Sequence, residues 1–420
     1  MSSAGTVGAR REPPEPGLTR DEMVARAVAL RSQLVADEEA TEQRTYYSQE
    51  MHEAFLNAGF YHLYVPCRYG GHEFGVPTCV RVVQEIARGC VSTAWCVGLA
   101  MNHALMVGSW WPQEAQDKVF AAGDFRCSSV AAPVGKAAKT DDVWEINGQV
   151  AFASGTPYST FYMGQALLPA PAGADPQEPP PQLLFVAPRS EWKMLDDWGD
   201  MLGLKGSGSH SIRFEGTRIP ESWGFEGSML DVEGGGGTPG SRLHGNPMYS
   251  GRAVSIFTIS LAAVTIGAAY NMLDEYERLM RTKTTPLPPL VPRIKDPDYQ
   301  RWYGRALTHI ATAEAAVHNA ADQHMELCRR NAEDGVAYTF GDDMLLAGIA
   351  REAMLMCWRV VDDDLWQTVG ANVARDGERT ARVFRDMAVA AAHRNLQLRD
   401  MFYGDIGRAA LGETQRIPGR

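Results

Sequence analysis

VWEINGQVAFAS, residues 143–154, decides how this chain is read. Trp144, Ile146, Val150 and Phe152 alternate with polar or small residues, the period of a half-buried strand. Asn147-Gly148 between the two arms predicts a hairpin turn, because both central residues of that turn need positive φ. LLFVAP (183–188) and HSIRFEGTRIP (210–220) are further predicted strands, with turn residues around them. Between them PAPAGADPQEPPPQ (169–182) reads as a Pro-rich surface loop. Residues 125–232 are therefore expected to form a central β domain.

On both sides of that block the period changes to helical. Upstream, Thr19 and Glu22 have capping-box spacing, and Met23, Ala27 and Leu30 recur on one face, which predicts a helix over 19–57 ended by Gly59. LYVPCRYGGHEFG (63–75) is a turn-rich loop, and helices are expected at 77–88, 91–107 and near 112–121. Downstream, EGGGGTPGS (233–241) reads as a flexible connection. Helical pattern then runs over 250–281, 297–332, 341–366 and 377–402, four long helices that suggest a bundle. AVSIFTISLAAVTIGAAY (253–270) is apolar all round. It contains Ser255, Thr258, Ser260 and Thr265 and runs straight into NMLDEYERLM, so it is expected to be the buried core helix and not a membrane span. The chain divides on this reading into a disordered tail (1–18), an N-terminal helical domain (19–124), the central β domain (125–232), a linker (233–246), a C-terminal four-helix bundle (247–405) and a tail (406–420). The fold class is α+β, mainly α.

Composition narrows the function. Hydrophobic residues are 45% and charged residues 22% of 420, ordinary globular values. Asp+Glu outnumber Lys+Arg by 51 to 40, a net charge of −11 without a basic block, which argues against nucleic acid as a partner. Seven cysteines, at 67, 79, 90, 96, 127, 328 and 357, include no C-x-x-C pair and read as reduced core thiols of a cytoplasmic protein. The Pro/Gly-rich N-terminus lacks the apolar core of a secretory signal.

No metal is expected. The ten histidines form neither H-E-x-x-H nor an E-x-x-H pair, and Glu314 with His318 reads as an ordinary helix-face pair. GLKGSGSHS (203–211) lacks the third glycine of G-x-G-x-x-G, and neither a P-loop nor a G-x-S-x-G elbow occurs. What stands out is polar residues in apolar or small-residue settings: Ser154 in FASG, His103 on a helix with Leu99, Met106 and Val107, and His393 after MAVAAA, followed by Arg394 and Asn395.

The order helices, β domain, bundle resembles the acyl-CoA dehydrogenase superfamily. The resemblance covers roughly residues 20–405 and rests on LYVPCRYGGHEFG, INGQVAFASG, GLKGSGSHSIRFEGTRIP (203–220) and VGANVARDGERTARVFRD (369–386). It implies a flavin held between β domain and bundle, usually in a tetramer. A dehydrogenase of this kind needs a carboxylate base. Setting Arg385-Asp386 on the family's R-D pair puts Arg394 at the position of the catalytic Glu, and no carboxylate occurs in MYSGR (248–252) either. An arginine is no base near neutral pH. ARGCVSTAW (87–95), the FASG strand end and His393-Arg394-Asn395 resemble instead the group D branch, the oxygenase components of two-component flavin monooxygenases acting on p-hydroxyphenylacetate and secosteroid phenols.

That branch implies FMNH2 or FADH2 delivered by a separate flavin reductase, reaction with O2 to a C4a-hydroperoxide, and hydroxylation of an aromatic small molecule, phenolic or polycyclic. N- or S-oxygenation, a dehydrogenase with a relocated base and a flavin-lost binding protein are the alternatives. Ser154 stands where a hydroxyl holds the flavin N5 proton. His393 is the expected acid/base or donor to the hydroperoxide, and His103 and Asn395 are expected substrate contacts. Trp95, Ser128 and Ser129 are expected beside the ring system, and Gly206, Ser207 and Ser209 on the phosphate side. Arg252, Arg293 and Arg301 are expected phosphate partners, across a subunit boundary of a homotetramer or dimer.

Overall fold

In a computed structural model, the chain is described over residues 13–173, 175, 179–229 and 237–413. Helix α1 (Arg20–Arg44) begins with the expected capping box, Thr19 and Glu22 each closing on the other's backbone N–H. The expected single helix over 19–57 is broken. Thr45 turns left-handed at φ 73°, and Ser48 caps a second helix, α2 (Gln49–Ala58), by accepting the Met51 N–H. Helices α3 (Val76–Gly89), α4 (Val91–Trp110) and α5 (Gln113–Val119) follow.

Seven strands make one sheet in the order β5-β6-β2-β1-β3-β4-β7. They are β1 (Cys127–Thr140), β2 (Val143–Val150), β3 (Phe161–Leu167), β4 (Gln182–Pro188), β5 (Lys193–Met194), β6 (Ile212–Pro220) and β7 (Gly224–Glu226). The strands expected at 183–188 and 210–220 are β4 and β6. The expected turn at Asn147-Gly148 is not one. β1 and β2 pair from Thr140 opposite Val143 to Gly135 opposite Gly148, so the chain reverses at Asp141-Asp142, with Asp141 at φ 53°. The glycine serves close approach instead. A Cβ on Gly148 would lie 2.2 Å from the Val134 carbonyl oxygen, and one on Gly135 2.3 Å from that of Asn147.

The segment expected to be a flexible linker is partly ordered. Residues 230–236 lie outside the described residues, but Thr238 caps the short helix α6 (Pro239–His244) and is itself buried. Residues 1–12 and 414–420 of the expected tails also lie outside the description. Residues 13–18 run against α1, where Glu15 pairs with Arg26.

The bundle consists of α7 (Ala253–Thr282), α8 (Pro297–Glu333), α9 (Phe340–Arg359) and α11 (Arg379–Ala391). A π-helical segment, Val360–Trp366, carries α9 into α10 (Gln367–Val369). The helix expected to run through 402 stops at Ala391. His393 adopts an extended conformation and caps α12 (Arg394–Gln397), and α13 (Arg399–Ala410) then reaches past the expected end of the bundle. By length and composition α4 and α7 are apolar enough to cross a membrane, but both are mostly buried within the protein. One core joins the N-terminal helices to the bundle, and a second fills the sheet.

Candidate active site

The site is built where α4, the end of β2 and the break after α11 converge. On α4, Trp95, Asn102 and His103 share a face at helical spacing, and all three are buried. Past β2, Ala153, Gly155 and Thr156 donate their backbone N–H groups to the carbonyls of His210, Ser207 and Gly208 at 3.2, 2.9 and 3.2 Å. This brings Ser154 beside Ser209, with 2.9 Å between hydroxyls, and Ser209 lies 2.6 Å from Ser207. The Trp95 indole N–H donates to the Ser154 oxygen at 3.2 Å.

The loop carrying these serines is anchored from the bundle. Buried Asp386 accepts the Leu204 N–H at 2.6 Å and the Ser92 hydroxyl at 3.2 Å. Burial pushes its carboxyl up to about 6. Leu204 stands at φ 53°, a conformation that this anchor holds.

His393 and His103 are both neutral near pH 7 but present opposite faces of imidazole chemistry. The His393 ring lies 5.2 Å from the Trp95 ring, edge on. Its Nδ1 accepts the Asn395 backbone N–H at 3.2 Å, so the proton is on Nε2, which is left as a donor. His103 Nδ1 lies 2.5 Å from the Cys127 carbonyl oxygen, which only accepts, so Nδ1 carries the proton and Nε2 keeps a lone pair. Burial lowers both to about 4, with Arg394 adding to the effect at His393. The His103 ring packs 5.5 Å from Phe257 of α7. Thr258, the next residue, accepts the Asn395 side-chain N–H at 2.9 Å, and Asn395 in turn accepts Arg351 Nε at 2.8 Å.

Of the residues expected from sequence, Trp95, Ser154, Ser207, Ser209 and His393 thus form one contact cluster. Gly206 joins it from the same loop, packed against Thr41 and Ser92. Asn395 and His103 connect to one another through α7. Ser128 is buried at the head of β1 with its hydroxyl unpartnered, and Ser129 beside it is half-buried. The three arginines stand elsewhere within the chain. Arg252 caps α7 and lies 3.6 Å from Asp343. Arg293 donates to the carbonyls of Val369 and Thr284. Arg301 is exposed and pairs with Asp298. Arg252 precedes α7, Arg293 lies between α7 and α8, and Arg301 lies in the first turns of α8; none of the three is on the elements that build the serine–tryptophan–histidine cluster.

Two site residues escaped the sequence reading. Phe152 is 60% exposed, at φ 68°, edge on to Trp198 at 5.7 Å. A bulky residue strained and exposed two positions before Ser154 is a candidate ligand contact. The second is Arg351, fully buried in α9. Its signal was a lone arginine within MLLAGIAREAMLM (344–356). Arg394, which the resemblance sets at the position of the dehydrogenase base, is exposed. Among the described residues no three His, Cys, Asp or Glu side chains gather as a metal site.

Two family models match the chain: acyl-CoA dehydrogenase, N-terminal domain, over residues 20–120, and acyl-CoA dehydrogenase, C-terminal domain, over 259–398. The chain belongs to the acyl-CoA dehydrogenase family. Within that family it is 26% identical to the pigment production hydroxylase of Rhodococcus sp. (strain ATCC 21145), over 94% of this chain and 97% of the relative. It is 22% identical to the oxygenase component of p-hydroxyphenylacetate 3-hydroxylase of Acinetobacter baumannii, over 90% and 86% of the two chains. Its fold matches that of XiaF from Streptomyces sp., solved with FADH2 and glycerol, with a TM-score of 0.81 at 22% identity over 95% of this chain and 97% of that one.

Proposed function

We propose that this chain is the oxygenase component of a two-component flavin-dependent monooxygenase that hydroxylates an aromatic small molecule. The observation that carries the reading is the pair of neutral histidines with opposite protons, His393 against the Trp95 that holds the Ser154 hydroxyl and His103 on the Trp95 face of α4, with no carboxylate among the described residues in contact with either. A dehydrogenase must remove an α-proton and needs a carboxylate there. Oxygen transfer to a phenol needs an acceptor for the phenol proton and a donor near the reacting oxygen. His103 Nε2 is the acceptor and His393 Nε2–H the donor.

The site fits a flavin. Ser128 is a buried hydroxyl lacking a partner, Phe152 offers an exposed aromatic surface, and the 203–210 loop clusters hydroxyls. When bound, the reduced flavin supplies two electrons to O2, so that one oxygen enters the substrate ring and the other leaves as water. Ser154, with its hydroxyl oriented by Trp95 and Ser209, would hold the proton on the ring N5. Trp95, Phe152, Ser128 and Ser129 would line the ring system. Gly206, Ser207 and Ser209 would border the phosphate end, and Arg293 or Arg301 would reach it from a second subunit, whereas Arg252 is buried against Asp343 within its own chain. The buried, apolar surroundings of His103 would keep water from its ring, which favours transfer over peroxide release.

The same proposal covers FMN or FAD as the flavin, a partner reductase, a homotetrameric or dimeric assembly, the domain boundaries at 124/125 and 246/247, and a cytoplasmic setting. Names of relatives support it: a FADH2-dependent resorcinol hydroxylase of Rhizobium sp. is 27% identical over 53% of this chain.

The test mixes the protein anaerobically with FMNH2, then FADH2, and follows absorbance after an oxygen pulse. Oxidised flavin should appear far more slowly than from free reduced flavin, and Ser154→Ala should shorten the delay and raise H2O2 release. Reoxidation at the free-solution rate by the wild type, with no hydroxylated product, overturns the reading.

A further inference from the structure

The Ser154 hydroxyl is held between two groups on different elements. Trp95 of α4 donates to it at 3.2 Å, and Ser209 of the 203–210 loop lies 2.9 Å from it. Its orientation therefore depends on how α4 and the loop sit relative to one another. One side chain of the bundle joins the two. Asp386 of α11 accepts the Leu204 N–H with Oδ1 at 2.6 Å and the Ser92 hydroxyl with Oδ2 at 3.2 Å. Ser92 stands one turn before Trp95 on the same face of α4. The Ser207 N–H closes back on the Leu204 carbonyl at 3.0 Å, and the Ser207 hydroxyl meets Ser209 at 2.6 Å, so the position of Leu204 is passed on to the serines.

Asp386 is buried, and among the described residues it forms no ion pair. Arg382 and Arg385 of the same helix turn to Glu42 of α1 instead. A carboxylate buried without a cation costs several kcal/mol, which hydrogen bonds to its lone pairs must offset. The two bonds it makes go to the two elements that hold Ser154. The loop is also moulded to α11 at this point. A Cβ on Gly203 would lie 2.2 Å from the Arg385 carbonyl oxygen and 2.6 Å from the Asp386 nitrogen, and Arg385 Nε donates to the Leu202 carbonyl at 3.1 Å. Leu204 stands at φ 53°, a left-handed conformation that costs a leucine free energy and persists where its surroundings impose it.

We propose that Asp386 is a positioning residue of the oxygen-transfer site: by tying Ser92 and Leu204 to one carboxylate it sets Trp95 and Ser209 at the separation that orients the Ser154 hydroxyl. The proposal deepens the oxygenase reading and rests on it. Asp386 touches neither Ser154 nor its two partners, so it acts through them. Without the carboxylate, the Leu204 N–H loses its acceptor and the left-handed turn relaxes. Ser209 then shifts against Trp95, and the Ser154 hydroxyl leaves the one orientation that both partners favour. A hydroxyl that turns freely holds the proton on the flavin N5 less well, and reducing equivalents escape as H2O2 instead of entering product.

The test compares wild type, Asp386→Ala, Asp386→Asn, Ser154→Ala and the double variant of Ser154→Ala with Asp386→Ala. In the flavin-free proteins, hydrogen exchange at the Leu204 amide should quicken by roughly 10–100-fold in Asp386→Ala, the range of a hydrogen bond to a charged group. With FMNH2 or FADH2 and O2, Asp386→Ala should raise H2O2 release toward the level of Ser154→Ala. Asp386→Asn keeps an acceptor oxygen and should stay nearer wild type. The double variant should release no more H2O2 than Ser154→Ala alone, because both changes act through one hydroxyl. An unchanged Leu204 amide, wild-type H2O2 release by Asp386→Ala, or losses that add in the double variant overturn the proposal. If Asp386→Ala does not fold, Ser92→Ala cuts one of the two ties, and its H2O2 release alone and combined with Ser154→Ala decides in the same way. Failure of the oxygenase reading shows separately, as free-rate flavin reoxidation by the wild type.

Discussion

Single residues at the site are set by what burial does to protons. His103 carries its proton on Nδ1 because a backbone carbonyl demands it, and burial keeps the ring neutral down to about pH 4. The unfolded imidazole titrates near 6.5, so between those values the unfolded chain binds a proton that the folded chain does not. His103 therefore contributes stability that is complete above about pH 6.5 and is lost as pH falls toward 4. At pH 5 the loss is about 2 kcal/mol. His103→Gln should lose ~2 kcal/mol less than wild type between pH 7 and pH 5 in urea titrations. Identical losses in the two proteins would mean that His103 is solvated when folded. The isolated polar residues Ser154, His103 and His393 were legible in sequence, since each interrupts an apolar or small-residue context. Their tautomers were not, because those depend on carbonyls and amides that the fold brings to them.

Elements show which glycines matter. Gly267 lies in mid-α7 where α3 crosses it. A Cβ there would stand 2.3 Å from the Gln84 carbonyl oxygen, so the two backbones must part to admit it. Gly304 lies in mid-α8, exposed, with nothing within 4 Å of a Cβ. Gly267→Ala should destabilise by roughly 1–3 kcal/mol through overpacking. Gly304→Ala should stabilise by about 0.5–1 kcal/mol by relieving helical glycine's entropy cost. Thermal unfolding of the two variants should move in opposite directions, and a shared sign would contradict the crossing described. Element type was legible from period alone, while ends were not. The Asn147-Gly148 turn and the helix through His393 each gave way to a contact that the local pattern does not show. Gly148 is needed where two strands press together, and His393 leaves the helix because its own ring takes the Asn395 amide.

At the scale of the molecule, α11 is tied to three other helices through one side chain. Arg379 donates to Glu38 of α1 at 3.0 Å, to Glu275 of α7 at 3.1 Å and to the last carbonyls of α3, Arg88 and Gly89, at 3.1 and 3.2 Å. Burial pushes Glu38 up to about 7 in spite of Arg379 and Arg382 beside it. Removing the arginine leaves two nearly buried carboxylates short of a partner. Arg379→Met should cost about 3–5 kcal/mol in urea unfolding at neutral pH, the penalty of breaking a buried pair from one side. A change under ~1 kcal/mol would mean that solvent already screens the network. Because Asp386 of the same helix holds Leu204, this variant should also loosen the serine loop.

The linear sequence was enough for the order of helices, β unit and bundle, for the buried character of α7, and for the departure from a carboxylate base at Arg394. Each of these is a local pattern or a residue type, and local patterns survive without knowledge of neighbours. The tertiary structure alone decided that Ser154, Ser209, Trp95 and His393 meet, that His103 and His393 present opposite protons, and that Arg351 lies buried with two idle nitrogens. Trp95 meets Ser154 from 59 positions away and His393 from farther still, and His103 and Arg351 take partners 24 and 44 positions away. Burial, which moves every pKa in the site, is likewise a property of the packed chain and not of any segment of it.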